Sequence, residues 1–139
     1  MPPITRTFIK TGLLYFVTAL LASLLVAGYL PLGLPVWVAG LSPVYFHLFL
    51  VGWVTHLIIG VAYWMFPKFT KAQPRGSDTL AWSVYGLLNS GLLLRVIAEP
   101  LQGVQPRPLW GWLLIVSAGL QWLGGLAFVI NTWPRVKEK

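Results

Sequence analysis

Four stretches of this chain carry no Asp, Glu, Lys or Arg: residues 11–30, 43–67, 79–94 and 108–134. A membrane-spanning helix needs about 20 mainly apolar residues, and three of these runs reach that length outright. The run from Thr79 stops at Arg95, but Val96, Ile97 and Ala98 carry it on to Glu99 at an interface. The expected architecture is all-α: an integral membrane four-helix bundle, a single domain over residues 1–139, with spans near 8–30, 43–67, 79–99 and 108–132.

Composition closes the other routes. The chain is 57% hydrophobic and 9% charged, whereas a soluble domain typically carries about 25% charged residues to cover its surface. Disorder needs low hydrophobicity and high net charge, the reverse of what is present. The first span follows Arg6 and Lys10 like a signal peptide, but its apolar stretch exceeds the roughly 7–15 residues of a signal core and is expected to remain. Breakers mark the connections: Pro31, Gly33 and Pro35, then Pro74 and Gly76, then Pro100, Gly103, Pro106 and Pro108. None leaves room for an extramembrane domain.

The formal net charge of +7 reads as an orientation signal, because retained Lys and Arg mark the cytoplasmic side. Arg6 and Lys10 precede span one, Lys68, Lys71 and Arg75 lie between spans two and three, and Arg135, Lys137 and Lys139 follow span four. All fall on one side, with only Arg95 and Arg107 opposite, so both termini are expected to be cytoplasmic. No stretch is polar enough to form a nucleic-acid-binding face.

The ionisable inventory narrows the chemistry. The chain has no cysteine, which excludes disulfides, iron–sulfur clusters, thiolate metal sites and covalent haem attachment. Asp78 is the expected N-cap of the third helix, and Glu138 lies in the tail. No Ser/His/Asp arrangement, HExxH motif, phosphate loop or carboxylate pair is present, and no acidic series crosses the membrane as an ion path requires.

Both histidines of the chain lie in the second span, where an ionisable side chain is costly and by default functional. Nine residues at about 100° each place His47 and His56 on opposite helix faces, with roughly 13.5 Å of rise between them. They cannot share one metal. His47 is expected about a turn below the outer surface and His56 near the bilayer middle. Gly52 and Gly60 flank His56 by a turn on its own face, so either a flat group or a neighbouring helix can approach there. Small residues at that spacing commonly let helices pack, and Asn89 and Gln121 could hydrogen-bond His56 as membrane glue. For His47, Arg95 at a similar height suits a haem held by the histidine with a propionate on the arginine. The alternative is an i,i+4 ion pair between Arg95 and Glu99 at the interface, with His47, near a wet boundary, simply satisfying a backbone carbonyl. Tyr45, Tyr63 and the eight tryptophans are expected mainly as interface anchors.

The segment His47-Leu-Phe-Leu-Val-Gly52-Trp53-Val-Thr-His56-Leu-Ile-Ile-Gly60-Val-Ala-Tyr63-Trp-Met-Phe-Pro67 resembles short four-helix membrane proteins related to the catalytic subunit of haem-copper oxidases and nitric oxide reductases, especially the cbb3-like branch. The resemblance rests on an early histidine, Gly-Trp after it, a Gly-Val-x-Tyr stretch and a closing proline. It implies a ligand of a low-spin haem b at His47 and residence in a prokaryotic cytoplasmic (inner) membrane. The other metal ligands of the full-length relatives come from helices this chain does not contain, so no copper centre is expected, nor self-contained oxygen or nitric oxide reduction.

Three readings follow. The leading one is a membrane haem b protein for electron transfer or diatomic gas binding, with His47 the main iron ligand, His56 a second candidate and Arg95 the propionate partner. Two histidine ligands would need a second chain, as in a homodimer or a larger respiratory complex. The alternative is a cofactor-free accessory subunit of a respiratory oxidase or nitric oxide reductase, in which Gly52, Gly60, Gly124 and Gly125 make close helix contacts. A small-molecule carrier is the third, with little but Arg95, Glu99 and the mid-membrane amides to bind with.

Overall fold

The computed structural model describes residues 1–136; Lys137, Glu138 and Lys139 lie outside them. Four helices are long and apolar enough to cross a membrane. Helix α1 (Pro3–Gly28) opens with a proline in its first turn, where the fixed φ and the missing N–H cost nothing. It therefore starts earlier than the uncharged run and takes in Arg6 and Lys10. Leu14, Val17 and Leu24 of α1 are exposed, while Phe8 and Ala19 are fully buried. One stripe packs on protein, and the remainder is apolar surface suited to lipid.

The second span, Val36–Met65, is composite. A 3-10 turn (Val36–Val38) leads into α2 (Leu41–His47), a π-helical stretch (Leu48–Thr55) and α3 (His56–Met65). Hydrogen bonds reaching five residues instead of four underwind the chain here. Side chains exploit the same spacing: Thr55 Oγ1 donates to Leu50 O at 2.8 Å, and His56 Nδ1 lies 2.8 Å from Val51 O. The opposite-face arithmetic for the two histidines assumed an uninterrupted α-helix. In the structure both meet the same neighbour, α4.

Helix α4 (Asp78–Val104) corrects two further expectations. Its N-cap is Ser77, whose extended backbone lets Oγ accept from Leu80 N at 3.2 Å. Asp78 has already entered the first turn, where its carboxylate favours the helix N-terminus by charge instead. At the far end Pro100 does not stop the helix, which runs on to Val104. Gly40 explains how the proline is seated: a Cβ on Gly40 would fall 2.9 Å from Pro100 Cα, so the backbones meet where no side chain intervenes. Helix α5 (Pro108–Thr132) follows, ending in a 3-10 turn at Trp133–Arg135.

Helix α1 lies along the second span, α5 packs almost wholly on α4, and α4 joins the two pairs through the second span. The contacts are set by small residues. An added Cβ at Gly52 would meet Tyr15 at 2.8 Å, at Gly60 Phe8 at 3.1 Å, and at Gly124 Leu88 at 3.0 Å. Gly125 is different, with no atom within 4 Å of the same construction, so it makes none of the close contact expected of it.

The groups carrying Arg6 and Lys10, Lys68 to Arg75, and Arg135 gather at one end of the bundle. Arg135 is itself buried there, 1% exposed. Its Nε donates to Pro67 O at 3.0 Å and its Nη2 to Phe66 O at 2.9 Å and Tyr63 O at 3.4 Å. A cation thus satisfies one carbonyl in the last turn of α3, that of Tyr63, and the two of Phe66 and Pro67 just beyond its end. Asn131 ties the preceding loop down, accepting from Ser77 N at 2.9 Å and donating to Ser77 O at 3.2 Å. Gly76 beside it has φ +80, the left-handed region that favours glycine. Tyr63, expected as an anchor, is instead a core residue with no exposure.

Candidate functional site

Two polar clusters lie where α4 meets the second span. They centre on the two histidines and differ in kind.

The inner cluster is closed. His56 has no exposed surface, and Phe8, Tyr15 and Tyr85 surround its ring at centroid distances of 5.3, 5.4 and 6.2 Å. With Nδ1–H donating to Val51 O, Nε2 accepts from Asn89 Nδ2 at 3.0 Å. The second amide hydrogen of Asn89 goes to Tyr85 O at 2.8 Å, and its Oδ1 accepts from Tyr15 OH at 2.6 Å. Tyr85 OH and Thr11 Oγ1 pair at 2.8 Å. A neutral imidazole offers one donor and one acceptor, and both are used. Gly52 and Gly60, which left room for a flat group, are filled by Tyr15 and Phe8. Asn89 thus bonds His56 as a packing residue would. Gln121 does not; its Nε2 donates to Ser117 Oγ at 3.2 Å, and Ser117 in turn donates to Gly91 O at 2.6 Å.

The outer cluster is open on one side. His47 ends α2, and its Nδ1 lies 2.8 Å from Pro43 O one turn back and 3.2 Å from Glu99 Oε1 on α4. The same Glu99 oxygen accepts from Arg95 Nη1 at 2.9 Å. The two side chains on α4 are spaced i,i+4, so the helix itself aligns them. Side-chain exposure falls from 32% at His47 through 17% at Arg95 to 8% at Glu99. Both neighbours of Nδ1 are acceptors, so the ring hydrogen belongs there and the lone pair on Nε2. Among the described residues Nε2 has no hydrogen-bond partner.

The sequence placed His47 and Arg95 at one height, and they do meet, though through Glu99 instead of side by side. Arg95 spends its Nη1 on that carboxylate. Sequence reasoning saw Glu99 only as the arginine's ion-pair partner; its reach to His47 depends on how α4 packs on α2. The backbone carbonyl weighed as a partner for His47 is that of Pro43, one turn back on the same helix.

Helices α2 and α3 hold the histidines too far apart to act together. Asn89 and Glu99, their respective partners, are separated on α4 by roughly 15 Å of helix. Among the described residues no three His, Cys, Asp or Glu side chains are grouped to share a metal ion. A groove of about 170 Å³ lies on the neighbouring face, lined by Thr18, Ala22, Val44, Leu48 and Val96. Pockets that enclose a cofactor usually span about 300–1,000 Å³, so this groove does not enclose a macrocycle.

No protein-family model matches this chain, and no curated protein or solved structure does either.

Proposed function

We propose that this chain is a membrane haem b protein of the electron-transfer type, in which His47 from each of two copies would hold one haem. The observation that carries the reading is the state of His47: Nδ1 is held by Pro43 O and Glu99, Nε2 is unpartnered, and the ring is partly exposed at the bundle surface. That is how a ligating histidine is usually prepared, with its second nitrogen donating to a carbonyl or carboxylate. His56, enclosed and saturated, is a poor second ligand, so the symmetric arrangement through His47 is favoured over one through His56. The groove of about 170 Å³ beside His47 is too small to enclose a haem, so a haem held by His47 would lie at the bundle surface, between copies. When bound, the haem would supply one-electron chemistry. Arg95 is engaged by Glu99 and would meet a propionate only with the guanidinium nitrogens left over.

The resemblance of residues 47–67 to the oxidase core gives the same ligand position, and the basic end of the bundle is assigned to the cytoplasmic face of a prokaryotic inner membrane. The competing reading is a cofactor-free accessory subunit. What favours it is the His56 network, which explains an intramembrane histidine by packing alone.

The test is spectroscopic. Protein purified in detergent after expression with haem supply is expected to show a Soret band, a reduced b-type α band and one haem per two chains. His47→Ala is expected to lose the band and His56→Ala to keep it. Carbon monoxide should leave the reduced spectrum unchanged if both axial positions are filled; a shift would indicate a single ligand and a gas-binding role. A folded, colourless protein would overturn the haem reading and favour the accessory one.

A further inference from the structure

At the basic end of the bundle, away from both histidines, we propose that the seam between the loop of residues 68–77 and the end of α5 binds one phosphate group, held by the guanidinium groups of Arg75 and Arg135. Two sources offer that group at this depth: the headgroup of an anionic lipid and inorganic phosphate in solution.

Arg135 closes the fourth span and is 1% exposed. Its Nε and Nη2 are spent on the carbonyls of residues 63, 66 and 67, but Nη1 is buried with no hydrogen-bond partner among the described residues. Two further groups are in the same condition: Thr132 Oγ1, three residues back, and Arg75 Nε are each buried without a partner. The loop brings them together. Ser77 N donates to Asn131 Oδ1 at 2.9 Å, and an added Cβ at Gly76 would lie 3.0 Å from Asn131 O. Arg75 is thereby seated beside the turn that carries Thr132 and Arg135, close enough for the two arginine charges to repel.

Neither role already assigned to these residues accounts for the arrangement. An orientation signal needs positive charge on the cytoplasmic side, not in the interior, and a carbonyl cap needs one arginine, not a second repelling it. A buried donor left unpaired is costly, the more so on a charged group. Among the described residues Asp78 is the one carboxylate at this end; its Oδ1 stands 4.0 Å from Arg75 Nε and its side chain is 72% exposed. It is a loose surface partner. A phosphate supplies what the seam lacks, negative charge with several acceptor oxygens that match the planar guanidinium fork. Because Arg135 Nη1 is covered while the Arg75 side chain is 30% exposed, Arg75 is the member that turns to admit the anion.

The experiment titrates the full chain, purified in a neutral detergent, with dioctanoyl phosphatidylglycerol, dioctanoyl phosphatidylcholine and inorganic phosphate. The rise in unfolding temperature gives each apparent affinity. Saturable stabilisation by phosphatidylglycerol but not phosphatidylcholine would identify a lipid headgroup as the source, and stabilisation by inorganic phosphate a soluble one. Arg75→Gln is expected to weaken the ligand that binds by about tenfold or more. Arg75→Lys, which keeps the charge and loses the fork, should weaken it by an intermediate factor and serves if Arg75→Gln fails to fold. Lys71→Gln, an exposed basic position in the same loop, should cost less than Arg75→Gln. No saturable response to any of the three, a response to the two lipids alike without one to phosphate, or equal losses in Arg75→Gln and Lys71→Gln would overturn the site.

Discussion

Asn89 Nδ2 lies 3.0 Å from His56 Nε2 while its carbonyl oxygen accepts from Tyr15 OH at 2.6 Å. One amide therefore joins α4, the second span and α1 at a partly buried point inside the bundle. Asn89→Leu leaves the imidazole acceptor and the tyrosine hydroxyl both unpaired. A loss of about 1–2 kcal/mol is expected, the upper range for polar contacts within membranes. Reversible unfolding in mixed micelles measures it. Because the residues act as a unit, the double variant Asn89→Leu/His56→Leu should cost less than the sum of the singles.

Arg135 satisfies three carbonyls of residues 63–67 from the other end of the chain. Hydrogen bonds to a charged group contribute about 1.5–3 kcal/mol when a partner is removed. Arg135→Ala is expected to lower stability by that order and to expose the loop of residues 68–77 to protease. Arg135→Lys, a point donor without the planar fork, should recover only part of the loss. Equal digestion rates in wild type and Arg135→Ala would show that the cap does not hold the loop.

The glycines divide by what surrounds them. At Gly52 an added Cβ would lie 2.8 Å from Tyr15 Cβ, whereas at Gly125 nothing lies within 4 Å. Gly52→Ala is expected to separate α1 from the second span and destabilise the bundle by about 1–3 kcal/mol, as overpacking does. Gly125→Ala should be neutral within about 0.5 kcal/mol. Thermal denaturation of the two variants side by side gives the comparison.

The absence of cysteine from the sequence makes orientation directly measurable. Single substitutions Thr70→Cys and Gln105→Cys fall in loops at opposite ends of the bundle. With the basic end cytoplasmic, an impermeant thiol reagent applied to intact cells should label Gln105→Cys and spare Thr70→Cys. The reverse pattern would invert the topology.

Much of the architecture was legible in the residues alone. Long uncharged runs can be stable in a bilayer only as helices, because nothing else there satisfies the backbone; this yields four helices and the gathering of Lys and Arg at one end. The boundaries moved where a local rule met a tertiary contact. Pro100 continues its helix because Gly40 lets it nest, and Ser77 takes the cap that Asp78 was expected to make.

The histidines show the limit more sharply. Sequence spacing alone made His47 and His56 the residues to test, because ionisable groups are scarce inside a membrane. Where they face depended on the π-helical stretch between them and on the packing of α4. Helical phase accumulates along the chain, so one underwound segment redirects everything beyond it. Tertiary packing then closed His56 with Asn89 and brought Glu99 to His47, a contact between residues 52 positions apart that no local pattern encodes.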